Sequence, residues 1–574
     1  MAKAHLEVHP NASMLVLDSA KSVGGVWAKE RLYPGLKTNN LLGSYEFSDF
    51  PMSPGRFDVR PGEHISGDAV HDYLEQFANH FGIASRLRLG HTVESAELLD
   101  SGDWLLQVVS VDLKPSRPPI ERVIARKMVV ATGLTSKPYI PTFSGQDLFN
   151  RDLFHAKELS QRSNSLKQAK HVVVIGGNKS AWDACFSVAE AGAQAHMIIR
   201  PSGGGPSWVW PVLFSPLKLS IQRLASTRFA TWFDPCIWTE KKGLTGWIRR
   251  FLHETRLGRI FVSAFWRLLQ YYAYKSHRYN DHPETQKLKP WVNPFWMGNS
   301  LSIHNYSSSW FDLVRQGRIT IHIADVGRLS EGRVHLSDDT TLDADALVCC
   351  TGWIQKPSIQ FLRNGTNSKI GLNTRETEVM NQVAMARKEI YHRMPALRQP
   401  PRIIRTRETP QATLDVSNRC LQTEHRFQLY RFIIPADGDT LRHKNLAFIG
   451  SHLALTAVMI SQLQALWITA FFSNEINTLK TSNIDFARVM YETILHNEYT
   501  RIRHPPTAGG CGERCPDLTF DCLPYMDLLM QDLGLNPFRR YKRDGFWSEI
   551  CGRYMPSDYK GIVQEWMDTK RPQS

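Results

Sequence analysis

The sequence predicts an α/β chain built on Rossmann-like dinucleotide-binding units, and three observations predict it. The run "HVVVIGG" at 171–177 is short, β-branched and stopped by glycines, the pattern of a buried parallel strand. The helical "KSAWDACFSVAEAGA" and a second strand, "AHMIIRP", follow it, so one βαβ unit begins inside the chain. Three other strand-like runs also end on glycine: "RKMVVATG" (126–133), "ADALVCCTGW" (344–353) and "NLAFIGS" (445–451). Near the start, Met14 to Leu17 reads as a strand ending in an acid, Asp18, with Gly24-Gly25-Val26-Trp27 just beyond. An acid at the end of such a strand characteristically holds a ribose.

At 574 residues the chain outgrows one hydrophobic core, so two or more domains are expected. A hydrophobic content of 42%, a charged content of 22% and a mean hydropathy of -0.31 are ordinary for a globular protein. The net charge of +14 suits anionic partners: nucleotide phosphates, an anionic membrane surface or nucleic acid. No zinc finger or RNP-type motif supports the last, so no nucleic acid is expected. The nine cysteines are odd in number in a long chain, which argues for free thiols over a disulfide framework. Cys511, Cys515 and Cys522 lack the tight pairing and fourth ligand of a zinc site, so no metal is expected. The start "MAKAHLEVHP" has no apolar core of signal-peptide length, and the expected location is cytoplasmic. Leu453 to Phe472 is long enough to span a bilayer, but it carries Gln462 and Gln464 and follows a strand directly. A buried helix is the expectation.

Residues 1–30 read as helix, strand and glycine turn. Residues 68–82, "DAVHDYLEQFANHFG", place apolar residues at helical spacing between an acid and a glycine stop. Residues 89–133 look like strands, and 390–410 reads as a loop. Residues 205 to about 300 are rich in Trp, Phe, Tyr, Lys and Arg, and "TGWIRRFLHETRLGRIFVSAFWRLLQYYAYK" predicts one or two helices. This segment is either an ordinary helical insertion, a lid over an apolar substrate, or a patch for peripheral membrane contact.

Within "VVVIGGNKSAWD", Gly176 serves the tight turn and Ala181 the close helix–strand packing that a dinucleotide site needs. Asn178 stands at the second glycine position; it tolerates left-handed backbone better than most residues, but its side chain narrows the room for phosphate, and Ser180 opens the helix. The next strand ends at Arg200, not at an acid. A guanidinium there fits a 2′-phosphate, hence NADPH over NADH; otherwise Arg200 is a surface cation. The ribose acid normally follows the first glycine of the phosphate loop by roughly 20 residues. Counting back from Asp18 passes Met1, so the expectation is a chain that starts inside a βαβ unit, with its first strand and glycine loop upstream. A new edge hairpin or a disordered start is the alternative.

Taken together these stretches resemble the flavin-containing monooxygenases. "LDSAKSVGGVW" is similar to that family's acid and GGxW segment, and "LKTNNLLGSYEFSDFP" to its Thr-Asn signature. "VVATG" and "VCCTGW" resemble its two ATG-type strand ends. "FNRDLFHAKEL" resembles its identifying pattern at Phe149 and His155, and "FIGSHLALTAVMISQLQALW" its last flavin-side strand and helix. The match covers most of residues 10 to 475, and the tail "GERCPDLTFDCLPYMDLLMQDLGLNPFRR" resembles fungal members. Asn178 and Arg151 replace glycines of the family pattern, and Leu159 stands where an aromatic is usual. Baeyer–Villiger relatives usually have tryptophan at that last place, so the resemblance leans away from them.

The resemblance implies two nested Rossmann-like dinucleotide-binding domains with a helical insertion and a C-terminal extension. The FAD-binding domain would take 1–160 and 356–475, the NADPH-binding domain 161–355 with the insertion at about 205–300, and the extension 476–574. It implies FAD and NADPH as cofactors and a role in secondary metabolism. One oxygen atom of O2 would pass to a small apolar substrate through a C4a-hydroperoxyflavin. Asn39 would sit at the flavin face as the catalytic residue, next to Thr38. Asp18 would accept from the ribose, Gly24, Gly25 and Trp27 would wrap the flavin's sugar chain, and Val93 would touch the adenine. Gln464 would lie near the isoalloxazine, and His155 would hold a linker between domains. A second reading is a truncated, non-catalytic form that retains only NADPH binding. A disulfide reductase would need a C-x-x-C or C-x4-C pair near the flavin, and the first 180 residues hold neither.

Overall fold

The computed structural model describes residues 1–571 except 112–119, 215–217, 240–242, 299–301, 355–356, 363–365, 367–370, 372–379 and 402–427. The chain opens with helix α1 (Ala2–Val8) and strand β1 (Val16–Leu17). Strands β2 (Lys37–Leu41) and β3 (His64–Ser66) pair antiparallel. Helix α2 (Gly67–His80) begins where Ser66 Oγ accepts the Ala69 N–H at 3.2 Å, an N-cap, and gives way at Phe81 to Gly82 with φ +63°. Strand β4 (Leu87–Arg88) lies parallel to β1. Strands β5 (His91–Leu98), β6 (Trp104–Ser110) and β7 (Ile120–Ala125) form an antiparallel meander, edged by the short strand Gln360–Phe361.

After β8 (Met128–Val130) the chain leaves this half and builds a separate sheet. Its strands are β9 (Asp152–His155), β10 (His171–Ile175), β11 (Gln194–Ile198), β12 (Ile319–His322) and β13 (Ala346–Cys349). All are parallel, in the order β9-β13-β10-β11-β12. Helices cover this sheet, including α3 (Leu159–Gln168) and α4 (Lys179–Glu190). Val172, Val173 and Val174 are fully buried, which is why β10 reads as a continuous β-branched run without alternation. The chain then returns: β14 (Leu446–Phe448) pairs parallel with β8 in register Leu446 to Met128. Among the described residues β1–β4 and β8–β14 are two separate parallel pairs, not one sheet.

The 453–472 stretch becomes α8 (Ala457–Phe472), numbered after α5 (Gly243–Glu254), α6 (Arg256–His277) and α7 (Met380–Arg393). Leu463, Leu466, Trp467 and Ile468 on α8 are fully buried. A helix apolar all round belongs inside a core. Among the described residues no helix is long and apolar enough to cross a membrane. The stretch read as a loop from 390 is still helical to Arg393 and makes a 3-10 turn at Pro395–Arg398. No proline falls between Met380 and Pro395, so the helix continues almost to that point. The part of this loop beyond 401 lies outside the described residues.

The insertion forms a helical hairpin. Its break is Thr255, whose Oγ1 accepts the Gly258 N–H at 3.0 Å and so caps α6. Gly258 lets the two helices touch: a Cβ there would lie 1.9 Å from the Phe251 carbonyl oxygen. The C-terminal extension is part of the core. Helix α9 (Phe486–Arg503) packs on α7, and α10 (Cys522–Asp532) buries Leu523, Tyr525, Met526 and Leu529 in the cluster that holds α8. The eight described cysteines are all free; Cys420 lies outside the described residues.

Candidate functional site

The second βαβ unit has the backbone of a phosphate cradle. Gly176 takes φ +148°, and its N–H donates to the Ile198 carbonyl at 2.9 Å. A Cβ at Gly176 would lie 2.7 Å from the Cys350 carbonyl oxygen and 3.3 Å from the Ala181 Cβ, so the turn admits only glycine. Ala181 is fully buried beneath it, as expected for the packing position. Asn178 corrects the sequence reading. Its φ of -92° and ψ of 172° are extended, not left-handed, because it is the N-cap residue of α4 and its carbonyl accepts the Ala181 N–H at 2.8 Å. Asn178 and Ser180 are exposed at the start of α4, where backbone N–H groups and the helix dipole favour an anion. Arg200, just past β11, is half-buried. Asp183, one turn into α4, ion-pairs with Lys179 and accepts from Tyr306 Oη at 2.9 Å and Tyr33 Oη at 3.2 Å. Burial and that carboxylate push both phenols well above their usual range. Sequence reasoning missed Asp183 because its partners lie far apart in the chain.

In the first unit, Asp18 is half-buried at the end of β1, and its Oδ1 accepts the Ala20 N–H at 2.9 Å. Gly24 and Gly25 turn the chain with φ of +121° and +60°, and a Cβ at Gly24 would sit 2.9 Å from the Trp27 carbonyl carbon. The turn is pinned from two sides: Trp27 Nε1 donates to Tyr45 Oη at 2.8 Å, and the Trp27 carbonyl is 3.2 Å from Nδ1 of His71 on α2. Val93 and Leu17 pack on the cluster of Met128, Val130, Leu446 and Phe448. The two parallel pairs therefore share one small core, with Asp18 at its rim.

Strand β2 alternates in role as it alternates in direction. Thr38 is buried; its hydroxyl donates to the Asn40 carbonyl at 2.6 Å and accepts the Ile65 N–H at 3.1 Å. Asn40 donates to the Leu455 carbonyl at 3.1 Å, which ties β2 to the start of α8. Asn39 faces the other way, is half-buried, and its Oδ1 lies 3.4 Å from the Ile303 N–H. Asn305 donates to the Thr38 carbonyl at 3.0 Å, so the end of the insertion clamps this strand.

Gln464 is fully buried and satisfied. Its Oε1 accepts the Gly450 N–H at 3.2 Å, and its Nε2 donates to Tyr525 Oη at 2.9 Å. Its amide sets the turn after β14 and joins it to the extension. His155 is buried, with Nδ1 accepting the Lys157 N–H and Nε2–H donating to the Gly352 carbonyl at 2.9 Å. Both nitrogens are engaged by backbone, and burial lowers its affinity for a second proton. A small cleft, about 20 Å³, opens at the carboxyl ends of β8 and β14, lined by Thr132, Gly133, Ser451 and, from the extension, Arg514 and Pro516. That is where open α/β sheets bind ligands. Arg514 belongs to no motif, so no spacing or composition signal points to it.

Comparison with known proteins agrees with this architecture. The family described as L-lysine 6-monooxygenase/L-ornithine 5-monooxygenase matches residues 56–203. The FAD-dependent monooxygenase rstn6 of Aspergillus nomiae is 33% identical over 99% of this chain and 96% of its own. This chain belongs to the FAD-dependent monooxygenases. A second fungal relative of the monooxygenase, resA of Aspergillus sclerotiorum, is 31% identical over 99% of this chain and 95% of its own. The fold of the monooxygenase is also that of a closed cyclohexanone monooxygenase, with a TM-score of 0.55 at 14% identity over 99% of this chain and 95% of that one. At that identity the likeness shows fold and not reaction. Leu159, the position that leaned away from Baeyer–Villiger chemistry, is buried at the start of α3.

Proposed function

We propose that this monooxygenase uses FAD and NADPH to insert one oxygen atom of O2 into a small, apolar organic molecule. The observation that carries the reading is the glycine-only cradle at Gly176, ahead of helix α4, whose Asp183 accepts from Tyr33 of the first unit. FAD, when bound, would supply the hydride-accepting and O2-activating chemistry, and the protein's part would be to bind, orient and exclude water. Asp18 accepts the ribose hydroxyls of FAD, and Gly24, Gly25 and Trp27 shape the path of its sugar chain. Val93 borders the adenine. Arg514 neutralises diphosphate charge at the strand ends. Thr38 fixes β2 so that the Asn39 amide faces the reacting edge, and Gln464 holds the Gly450 turn beside it. Gly176, Asn178 and Ser180 cradle the NADPH diphosphate, and Arg200 takes its 2′-phosphate.

Purified chain supplied with FAD is expected to oxidise NADPH and consume O2. Binding of NADPH without oxidation would leave only the binding-protein reading. Asp18→Ala is expected to weaken FAD binding by roughly 10- to 100-fold, the loss of charge-assisted hydrogen bonds of about 1.5–3 kcal/mol. The flavin absorbance retained through gel filtration reads it directly; an unchanged flavin content would remove Asp18 from the site. Arg200→Gln is expected to raise the KM for NADPH by roughly tenfold or more and leave that for NADH unaltered. Parallel loss with both nucleotides would make Arg200 a structural cation.

A further inference from the structure

The hairpin α5–α6 has two apolar faces, and the fold covers one. Val262, Trp266, Leu269 and Ala273 of α6 are buried at helical spacing against the body. On its other side Leu257, Ile260, Phe261, Leu268 and Tyr271 also recur at helical spacing, and their exposure runs from 49% for Phe261 to 63% for Ile260. Trp247 of α5 is 60% exposed and stacks on Phe251, with ring centroids 6.2 Å apart. Phe251 meets Phe261 at 6.3 Å, so the two helices share one outward apolar surface. Single exposed apolar side chains are ordinary, but a continuous surface of this extent marks a contact.

Charge identifies the contact. Residues 243–278 hold seven cations, Arg249, Arg250, Arg256, Arg259, Arg267, Lys275 and Arg278, against one acid, Glu254. Beside α5 lies a cavity of about 300 Å³, lined by Arg249, Arg250, His253 and Glu254 of α5 and by His392 and Arg393 of α7. The Arg249 side chain is buried; one of its terminal nitrogens donates to the Asp234 carbonyl at 3.1 Å, while its Nε–H is buried with no acceptor. A buried guanidinium edge without an acceptor is costly, so Arg249 leaves uncompensated positive charge at the cavity wall, which favours an anion. A second copy of this chain would bring the same excess of positive charge to the face, which argues against self-association there. We propose that the outward face of α5–α6 rests on a bilayer and that the cavity beside it takes the phosphate headgroup of an anionic phospholipid. The proposal is independent of the cofactor reading.

The test is sedimentation of the full chain with phosphatidylcholine vesicles, with and without phosphatidic acid. Anionic vesicles are expected to retain roughly tenfold more protein than neutral ones. The double variant Ile260→Ser/Leu268→Ser is expected to lose binding to both, and Arg250→Gln/Arg393→Gln to lose only the preference for anionic lipid. Matched thermal midpoints show that each variant folds. Failure of anionic vesicles to retain the protein overturns the proposal. So does a thermal midpoint raised by inorganic phosphate with no vesicle binding, which would assign the cavity to a free anion. A dimer that Ile260→Ser/Leu268→Ser converts to monomer, again with no vesicle binding, would make the face a self-interface and overturn it too.

Discussion

Arg228→Ala is expected to destabilise the protein by about 3–5 kcal/mol, read as a shift of the denaturation midpoint. The Arg228 side chain is only 8% exposed. It ion-pairs with Asp527 at 2.5 Å and with Glu549, and donates to Tyr554 Oη at 2.9 Å and to the Pro537 carbonyl at 2.7 Å. Removing it strands two buried carboxylates. Burial already holds the Asp527 carboxyl above its ordinary range, with Arg228 pulling it back. Without the guanidinium the Asp527 carboxyl rises further above its unfolded value of about 4. The folded variant then binds more protons than its unfolded chain, so its stability rises as the pH falls toward the carboxylate range. The deficit against wild type is therefore expected to be smaller near pH 5 than near pH 8. An equal deficit at both would show that packing, not charge, holds this junction.

Gly176→Val is expected to abolish productive NADPH binding while flavin content stays near wild type. The new Cβ meets the Cys350 carbonyl at 2.7 Å and the Cys350 Cβ at 3.0 Å, both on the turn after β13. The backbone at φ +148° adds strain of about 1–3 kcal/mol for a residue with a side chain. The chain must shift at the point where phosphate is to lie, and a displacement of that kind raises the dissociation constant roughly 100-fold or more. Gly192→Ala is the control: φ there is +100°, but the added Cβ meets nothing within 4 Å. If Gly176→Val binds NADPH like wild type, the crevice above β10 is not the nucleotide site.

Much of the frame was legible because it rests on local chemistry. Val172 to Val174 announce a strand buried on both faces, and Gly176 and Ala181 announce the turn and helix that follow. The apolar stretch at 453–472 was rightly separated from a membrane span by its glutamines, and the structure uses both: Gln462 on Ser48 and Gln464 on Gly450. Asn178 was misread because sequence shows that a residue tolerates a conformation, not that the turn needs it; Gly176 already takes the positive φ. The clamp of Asn305 on β2, the Asp183 cluster and the Arg514 cleft were out of reach. Each joins residues that no spacing rule connects. The split of the first unit into two parallel pairs was equally hidden, since strand pairing across the molecule leaves no local mark.

The pairing of β8 with β14 also fixes an order of assembly on the ribosome. Met128 to Val130 emerges early, yet its partner Leu446 to Phe448 follows only after the whole five-stranded sheet has been made. Domains form as they are synthesised, so the inner module can close while the outer one still waits with an unpaired apolar edge. Nascent chains halted before residue 446 should consequently draw chaperones to that edge, and the outer module is completed last.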